Sequence, residues 1–142
     1  MEAQLPGDVF GPDVFAVRLQ RCHKYGPGRR LRTNVKFENR TTGTTYTLNA
    51  SLGKNRFWLR VKINGKLWHV GRLVAWCFGN PRRLTWATFA KRNSSNYVYQ
   101  ARHVSLDETD FRAENLLIGT RLQNLEQYRR EASDKYNKVK RP

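Results

Sequence analysis

The sequence has few cysteines and no long hydrophobic run. Cys22 and Cys77 are its only two cysteines, and one pair in 142 residues cannot form the disulfide framework of a small secreted domain. Together with His23 they also lack the spacing of zinc ligands. No apolar run approaches the roughly 20 residues of a membrane-spanning helix. Residues 1–15 contain no basic residue, unlike the start of a signal peptide. We therefore expect a soluble, intracellular protein with no membrane partner.

Acidic residues are scarce and unevenly spread. The chain has 27 Lys and Arg against 11 Asp and Glu, for a net charge of +16. Residues 39–106 contain twelve basic residues and no acid, whereas four acids crowd into residues 107–114. With 39% hydrophobic and 12% aromatic residues, the chain is too apolar for a disordered polycation. An acid-free stretch interleaved with aromatics favours a nucleic acid as partner over an anionic membrane.

The pattern predicts a small α+β domain with two flanking segments. Residues 1–30, broken by Pro-Gly pairs, predict an irregular basic arm in which Val14–Leu19 is a candidate short strand. Residues 31–132 predict the folded domain, and residues 133–142 predict a basic C-terminal tail. Within the domain, two alternating segments around Asn64-Gly65 predict a β-hairpin, residues 71–78 a short helix, and residues 121–132 a second helix.

The first strand of this hairpin has two different faces. Alternation places Phe57, Leu59, Val61 and Ile63 on one side, and Trp58, Arg60 and Lys62 on the other. We expect the aliphatic side to pack in the core and the basic side to face the nucleic acid. Trp76 and Phe78, on the short helix, are also expected in the core.

Residues 103–124 carry typed residues at fixed spacing. His103 precedes an acidic segment, which is followed by Arg112-Ala-Glu-Asn-Leu116 and then by Thr120-Arg-Leu-Gln-Asn124. This pattern resembles the HNH family of nucleases, in its homing-endonuclease branch. The family's motifs are His-x-Asp-Gly-(Asp/Asn), Asn-Asn-Arg-x-Glu-Asn-Leu and Thr-Arg-x-x-Asn. The matching positions are His103, Asp107, Arg112, Glu114, Asn115, Leu116, Thr120, Arg121 and Asn124.

The resemblance implies an antiparallel α+β fold with a ββα-metal (HNH) motif. It also implies a metal-dependent endonuclease that hydrolyses phosphodiester bonds in duplex DNA. His103 would be the general base, Asn115 would hold His103 in place, and Asn124 would bind Mg²⁺ or Mn²⁺. No zinc is expected. The predicted DNA contacts are Trp58, Arg60, Lys62, Arg72, Arg82, Arg83 and Arg121.

Two positions depart from the family pattern. Arg102 stands where the family usually has an Asp or His metal ligand, and Ser105 stands where it has an acid. A guanidinium cannot bind a cation, so we predict that Arg102 clamps the scissile phosphate. The alternative is a catalytically degenerate relative that binds DNA without cutting it. A ribosome-associated basic protein would fit the charge, but not His103, Asn115 and Asn124.

The resemblance also bears on location. The HNH homing branch belongs to mobile elements, which makes a phage or intron origin plausible. The expected location is then the cytoplasm of a bacterial or phage-infected cell, or a nucleoid or nucleus.

His69, next to Trp68, is expected to have a structural or phosphate-binding role rather than a catalytic one.

Overall fold

The protein has a mixed α/β fold built from small antiparallel sheets and four helices within the described residues. The structure is a computed structural model that describes residues 1–54, 56–79 and 84–140, with side chains up to residue 133. The strands are β1 (Glu2–Gln4), β2 (Val14–Tyr25), β3 (Leu31–Asn39), β4 (Leu48–Gly53), β5 (Arg56–Ile63), β6 (Lys66–His69), β7 (Arg92–Asn93), β8 (Asn96–Tyr97), β9 (Tyr99–His103) and β10 (Leu116–Thr120). The helices are α1 (Gly7–Phe10), α2 (Val70–Phe78), α3 (Trp86–Phe89) and α4 (Arg121–Lys140).

The N-terminal segment is an integral part of the fold. Strands β1, β2 and β3 form an antiparallel sheet, and Leu5, Phe10, Val14 and Ala16 are fully buried. The prediction of an irregular arm over residues 1–30 was therefore wrong. The Pro-Gly pairs bound the one-turn helix α1, where Gly11 has a φ of 88°, a conformation that favours glycine.

The predicted hairpin is confirmed. Strands β5 and β6 pair antiparallel, from Arg60 opposite His69 to Ile63 opposite Lys66. Asn64 and Gly65 both have positive φ, at 51° and 82°, as a two-residue turn of type I′ requires. The aliphatic face packs inward, since Leu59, Val61 and Ile63 are buried.

Helix α2 lies at the centre of the core. It contacts β5, β6, β9 and β10, and seven of its nine residues are buried. Its bounds match the predicted helix over residues 71–78 to within one residue. Trp76 is buried and its indole N–H donates to the carbonyl oxygen of Leu84 at 2.8 Å, while Phe78 packs against the core. Both aromatic residues thus lie where the sequence predicted them.

The C-terminal part consists of two antiparallel strands followed directly by a helix. β9 and β10 pair from His103 opposite Leu116 to Tyr99 opposite Thr120, and α4 begins at the next residue, Arg121. The helical backbone extends to Lys140, so the boundary predicted near residue 132 between helix and tail was wrong. None of the helices among the described residues is long and apolar enough to cross a membrane.

Candidate active site

A pocket of about 180 Å³ lies where the end of β9 meets the first turns of α4. It brings together three of the residues that the sequence pattern predicted to act together: Arg102, His103 and Asn124. The other lining residues are Ala101, Leu106, Glu108, Gln127 and Tyr128. The strand pair and the helix thus bring to one pocket a histidine and an asparagine that are 21 residues apart in the sequence.

His103 is the last residue of β9 and is half-buried. Its ring meets the edge of Phe111, with ring centroids 5.4 Å apart. Its Nε2 is buried and has no hydrogen-bond partner among the described residues. Burial lowers the pKa of His103, while the carboxylates of Glu108, Asp110 and Asp107 act in the opposite direction. A neutral imidazole with an unengaged nitrogen is suited to accept a proton.

Asn124 lies at the end of the first turn of α4 and lines the same pocket as His103. Its Nδ2 donates to Gln100 Oε1 on β9 at 3.0 Å, which fixes the orientation of the amide. Its Oδ1 is buried and accepts no hydrogen bond within the described part of the chain. A Cβ at Gly119 would lie only 3.1 Å from this oxygen, so glycine allows the close approach. An unpaired amide oxygen can accept a hydrogen-bond donor or bind a cation.

Arg102 ties the strand to the helix. Its Nη1 donates to Gln127 Oε1 at 2.8 Å, and Gln127 Nε2 donates in turn to Glu131 Oε1 at 3.1 Å. Its Nε is buried without a partner among the described residues. Arg102 therefore has a structural contact in addition to its place in the pocket, and the phosphate clamp stays a prediction.

Asn115 holds the loop that follows His103. It is 5% exposed, and its Oδ1 accepts from the Ser105 N–H at 3.0 Å while its Nδ2 donates to the Asp110 carbonyl at 3.1 Å. Its backbone carbonyl accepts from the Val104 N–H at 2.8 Å. Asn115 is thus a buried, hydrogen-bonding residue, and its contacts are to the backbone next to His103 and at Asp110.

Three of the four clustered acids are engaged within the fold. The ion pairs are Arg32–Asp107 at 2.5 Å, Arg112–Asp110 at 2.6 Å and Arg18–Glu114 at 3.1 Å. Asp110 is itself buried. The pKa of Asp107 is lowered by the hydrogen bond from the Thr109 hydroxyl and by Arg32. These pairs offset three of the four negative charges of residues 107–114.

Glu108 differs from its three neighbours. It is exposed and lines the pocket, and the Tyr128 hydroxyl donates to its Oε1 at 3.3 Å. Among the described residues it has no ion pair. The nearby carboxylate raises the pKa of Tyr128. Of the four acids in residues 107–114, Glu108 is thus the one that lines the pocket with its charge unpaired among the described residues.

A second, more open cleft of about 510 Å³ begins at His103 and leads across β5. Its lining includes Trp58, His69 and Tyr97 as well as His103 itself. Ala101 and His103 line both spaces, so the cleft and the pocket adjoin at the end of β9. Burial and the charges of Arg60 and Arg72 lower the pKa of His69, which favours its neutral form in the cleft.

The predicted DNA-contacting face of β5 points outward. Trp58 is half-buried and borders the cleft, and Lys62 is exposed. The Arg60 guanidinium lies 5.7 Å from the Trp58 ring centroid, and its Nε is buried with no partner among the residues described. Arg121 is exposed at the start of α4. The predicted contacts Arg82 and Arg83 lie outside the described residues.

Arg72 does not present a free guanidinium to DNA. Its Nη1 donates to the Tyr99 carbonyl at 2.8 Å and its Nη2 to the Phe89 carbonyl at 3.0 Å. The guanidinium also lies 3.6 Å from the Tyr97 ring centroid. Burial lowers the pKa of Arg72 to about 10. The prediction for Arg72 is therefore corrected: it connects α2 to β9 and α3, because both ends of its guanidinium are bound to carbonyls of those elements.

Sequence reasoning missed four residues of the site. Gln100, Glu108, Gln127 and Tyr128 were not singled out. Gln127 and Tyr128 lie three and four residues after Asn124, a spacing that places them on the same side of a helix, so this signal was available. Glu108 was hidden among its acidic neighbours, since only the structure separates the paired acids from the unpaired one.

Neither metal-ligating clusters nor similarity to known proteins assigns a further site or function. In the described ranges, no group of three or more His, Cys, Asp or Glu side chains is placed to hold a metal ion. Cys22 is exposed and Cys77 is buried. Comparison with protein-family models, curated proteins and solved structures finds no significant match to this chain.

Proposed function

We propose that the protein is a metal-dependent endonuclease of HNH type that hydrolyses phosphodiester bonds in duplex DNA. The observation that carries the proposal is that one pocket is lined by two residues with an unengaged polar atom, His103 with its Nε2 and Asn124 with its Oδ1. They come from two antiparallel strands and the helix that follows, the order that the ββα-metal motif implies.

His103 is the general base in this proposal. Its neutral Nε2 takes a proton from a water molecule, whose oxygen forms a bond to the phosphorus. The bond from phosphorus to the 3′ oxygen breaks, and that oxygen takes a proton from solvent. Burial supports this role, because by lowering the pKa it favours the neutral imidazole at pH 7. Asn115 positions the base through the backbone of residues 104 and 105.

Asn124 supplies an oxygen ligand to Mg²⁺ or Mn²⁺. Its unengaged Oδ1 fits this group, because Mg²⁺ prefers oxygen ligands and keeps several waters. When bound, the ion would neutralise phosphate oxygens and stabilise the leaving 3′ oxygen. The Gln100 contact holds the amide so that its oxygen, not its nitrogen, is left unpaired.

Charge supports a polyanionic substrate. The chain carries +16, and three of the acids in residues 107–114 are held by arginines. The cleft that begins at His103 continues beside Trp58, with Arg60 and Lys62 on the same face of β5. This arrangement would carry the DNA backbone toward His103 by attraction of phosphates to Arg and Lys.

The second candidate is a DNA-binding relative that does not cleave. The observation that favours it is Arg102, which places a fixed positive charge in the pocket where the family usually has a metal ligand. In that case the guanidinium would take the place of the cation beside a phosphate. Binding would persist without any metal.

Supercoiled plasmid tests the proposal directly. Wild-type protein with Mg²⁺ or Mn²⁺ should convert it to nicked or linear DNA, and EDTA should stop the reaction. His103→Ala should abolish cutting while DNA affinity changes less than about threefold, because one neutral side chain contributes little to phosphate attraction. Binding without cutting under every divalent metal would overturn the endonuclease and favour the second candidate.

A further inference from the structure

We propose that Glu108 is the carboxylate ligand of the metal site, in place of the acid that Arg102 displaces. This inference rests on the proposed function. It starts from the distribution of charge in the loop: Asp107, Asp110 and Glu114 each lie against an arginine, whereas Glu108 has no ion pair among the described residues and borders the pocket.

The position of Glu108 is set by Tyr128. The tyrosine hydroxyl donates to Glu108 Oε1 at 3.3 Å, and Tyr128 lies one helical turn after Asn124. The contact therefore draws the carboxylate over the helix face that carries the amide ligand. In a pocket of about 180 Å³, the loop supplies a charged oxygen and α4 supplies a neutral one.

The chemistry explains why a carboxylate is needed. Mg²⁺ is bound in proteins through one or two carboxylates together with waters and substrate phosphates. Asn124 alone offers no negative charge, and Arg102 adds a positive one to the same pocket. Glu108 offsets the guanidinium and leaves the phosphate oxygens to complete the coordination. The Tyr128 hydroxyl engages Oε1 and leaves Oε2 for the ion.

Direct binding of Mn²⁺ to the DNA-free protein tests the assignment. Electron paramagnetic resonance of the free ion gives the bound fraction without any cleavage assay. Glu108→Gln should weaken Mn²⁺ binding at least about tenfold, since it removes the charged ligand. The matched control is Glu126→Gln, an exposed glutamate of α4 outside the pocket, which should change the affinity less than about twofold.

Plasmid cutting separates this inference from the endonuclease proposal. Glu108→Gln should need a higher Mg²⁺ concentration to cut and should recover as Mg²⁺ rises, whereas His103→Ala should not recover. Wild-type Mn²⁺ affinity in Glu108→Gln, or an unchanged Mg²⁺ dependence, would overturn the role of Glu108 and leave the nuclease intact. Absence of Mn²⁺ binding by the wild type would also overturn the role of Glu108. The melting temperature of Glu108→Gln should match that of the wild type, because Glu108 is exposed.

Discussion

The Asn115 side-chain oxygen accepts a hydrogen bond from the Ser105 backbone N–H at 3.0 Å, two residues after His103. The same residue accepts from the Val104 N–H through its backbone carbonyl. The backbone that leaves His103 is thus fixed by one buried asparagine at the other end of the loop. Placement of the proposed base depends on a residue that does not reach the pocket itself.

Replacing Asn115 should damage stability and activity together. Asn115→Ala leaves the Ser105 N–H and the Asp110 carbonyl without their partner, and the free energy of unfolding should fall by about 2 kcal/mol. Plasmid nicking should fall at least tenfold even at temperatures where the variant is folded, because His103 loses its fixed position. Denaturant unfolding and initial nicking rates measure the two effects. Asn96→Ala, at an exposed position of the short strand β8, is the control and should match wild type.

Arg72 should contribute to stability rather than to DNA affinity. Arg72→Leu removes two charged hydrogen bonds to carbonyls, and we expect the free energy of unfolding to fall by about 3 kcal/mol. Arg72→Lys should recover less than half of this, because an ammonium cannot span both carbonyls as the planar guanidinium does. Arg121→Ala, which changes an exposed arginine, should stay within about 0.5 kcal/mol of wild type. A strong loss of DNA affinity in Arg72→Lys with unchanged stability would contradict this role.

Local patterns predicted the elements that local chemistry determines. The Asn64-Gly65 turn and the alternation of Leu59, Val61 and Ile63 were enough to define the hairpin, because turn conformation and side-chain parity depend on neighbouring residues. The helix predicted over residues 121–132 begins where α4 begins. The pairing of His103 with Asn124 was implied by the resemblance to the HNH family and not by the spacing itself.

Long-range partners explain what the sequence could not predict. The N-terminal segment looks largely irregular by itself, whereas in the fold β2 pairs with β3 and Val14 and Ala16 pack in the common core. The role of Arg72 depends on carbonyls of residues 89 and 99, which no local pattern brings together. In the same way, the availability of Glu108 depends on which arginines reach its neighbours.

Activity should depend on pH through His103. Burial lowers the pKa of this imidazole below its usual value near 6.5, and the base must be neutral to accept a proton. The kcat/KM for nicking should therefore be constant at neutral pH and fall on acidification, with a midpoint below 6.5. A midpoint above 7 would contradict the buried, neutral base.

The same group should affect stability in a defined direction. Because the pKa of His103 is lower in the folded state than in the unfolded state, the unfolded chain binds the proton more readily. Stability is therefore retained above pH 6.5 and lost as pH falls through the folded-state pKa. His69 has a pKa shift in the same direction, so the comparison needs His103→Gln, which should reduce the loss without removing it. Unfolding free energies between pH 5 and pH 7.5 give the measurement.

DNA affinity should fall steeply with salt. If the basic face of β5 and its surroundings neutralise about 6–8 phosphates, the slope of log affinity against log salt should be about −5 to −7. Lys62→Ala should lower affinity for all sequences alike and make the slope shallower by about 1, since Lys62 is exposed on that face. A slope near zero would exclude the phosphate backbone as the partner and would contradict both candidate functions.

The substitution Arg102→Asp distinguishes cutting from binding alone. It removes the Gln127 contact, which should cost about 1 kcal/mol of stability, and it places a carboxylate in the pocket beside Asn124. In an endonuclease, the new carboxylate joins Asn124 and Glu108, so Mn²⁺ affinity should rise severalfold and cutting should need less Mg²⁺.

In a protein that only binds DNA, the guanidinium itself faces the phosphate, and Arg102→Asp should weaken binding without creating activity, because like charges repel. Arg102→Gln separates loss of the positive charge from gain of the negative one, since it adds no ligand charge. Parallel titrations of Mn²⁺ and of a DNA duplex therefore give opposite signs for the two functions. No change in either titration would show that the Gln127 contact holds Arg102 away from both ion and phosphate, and would leave the pocket chemistry to His103, Glu108 and Asn124.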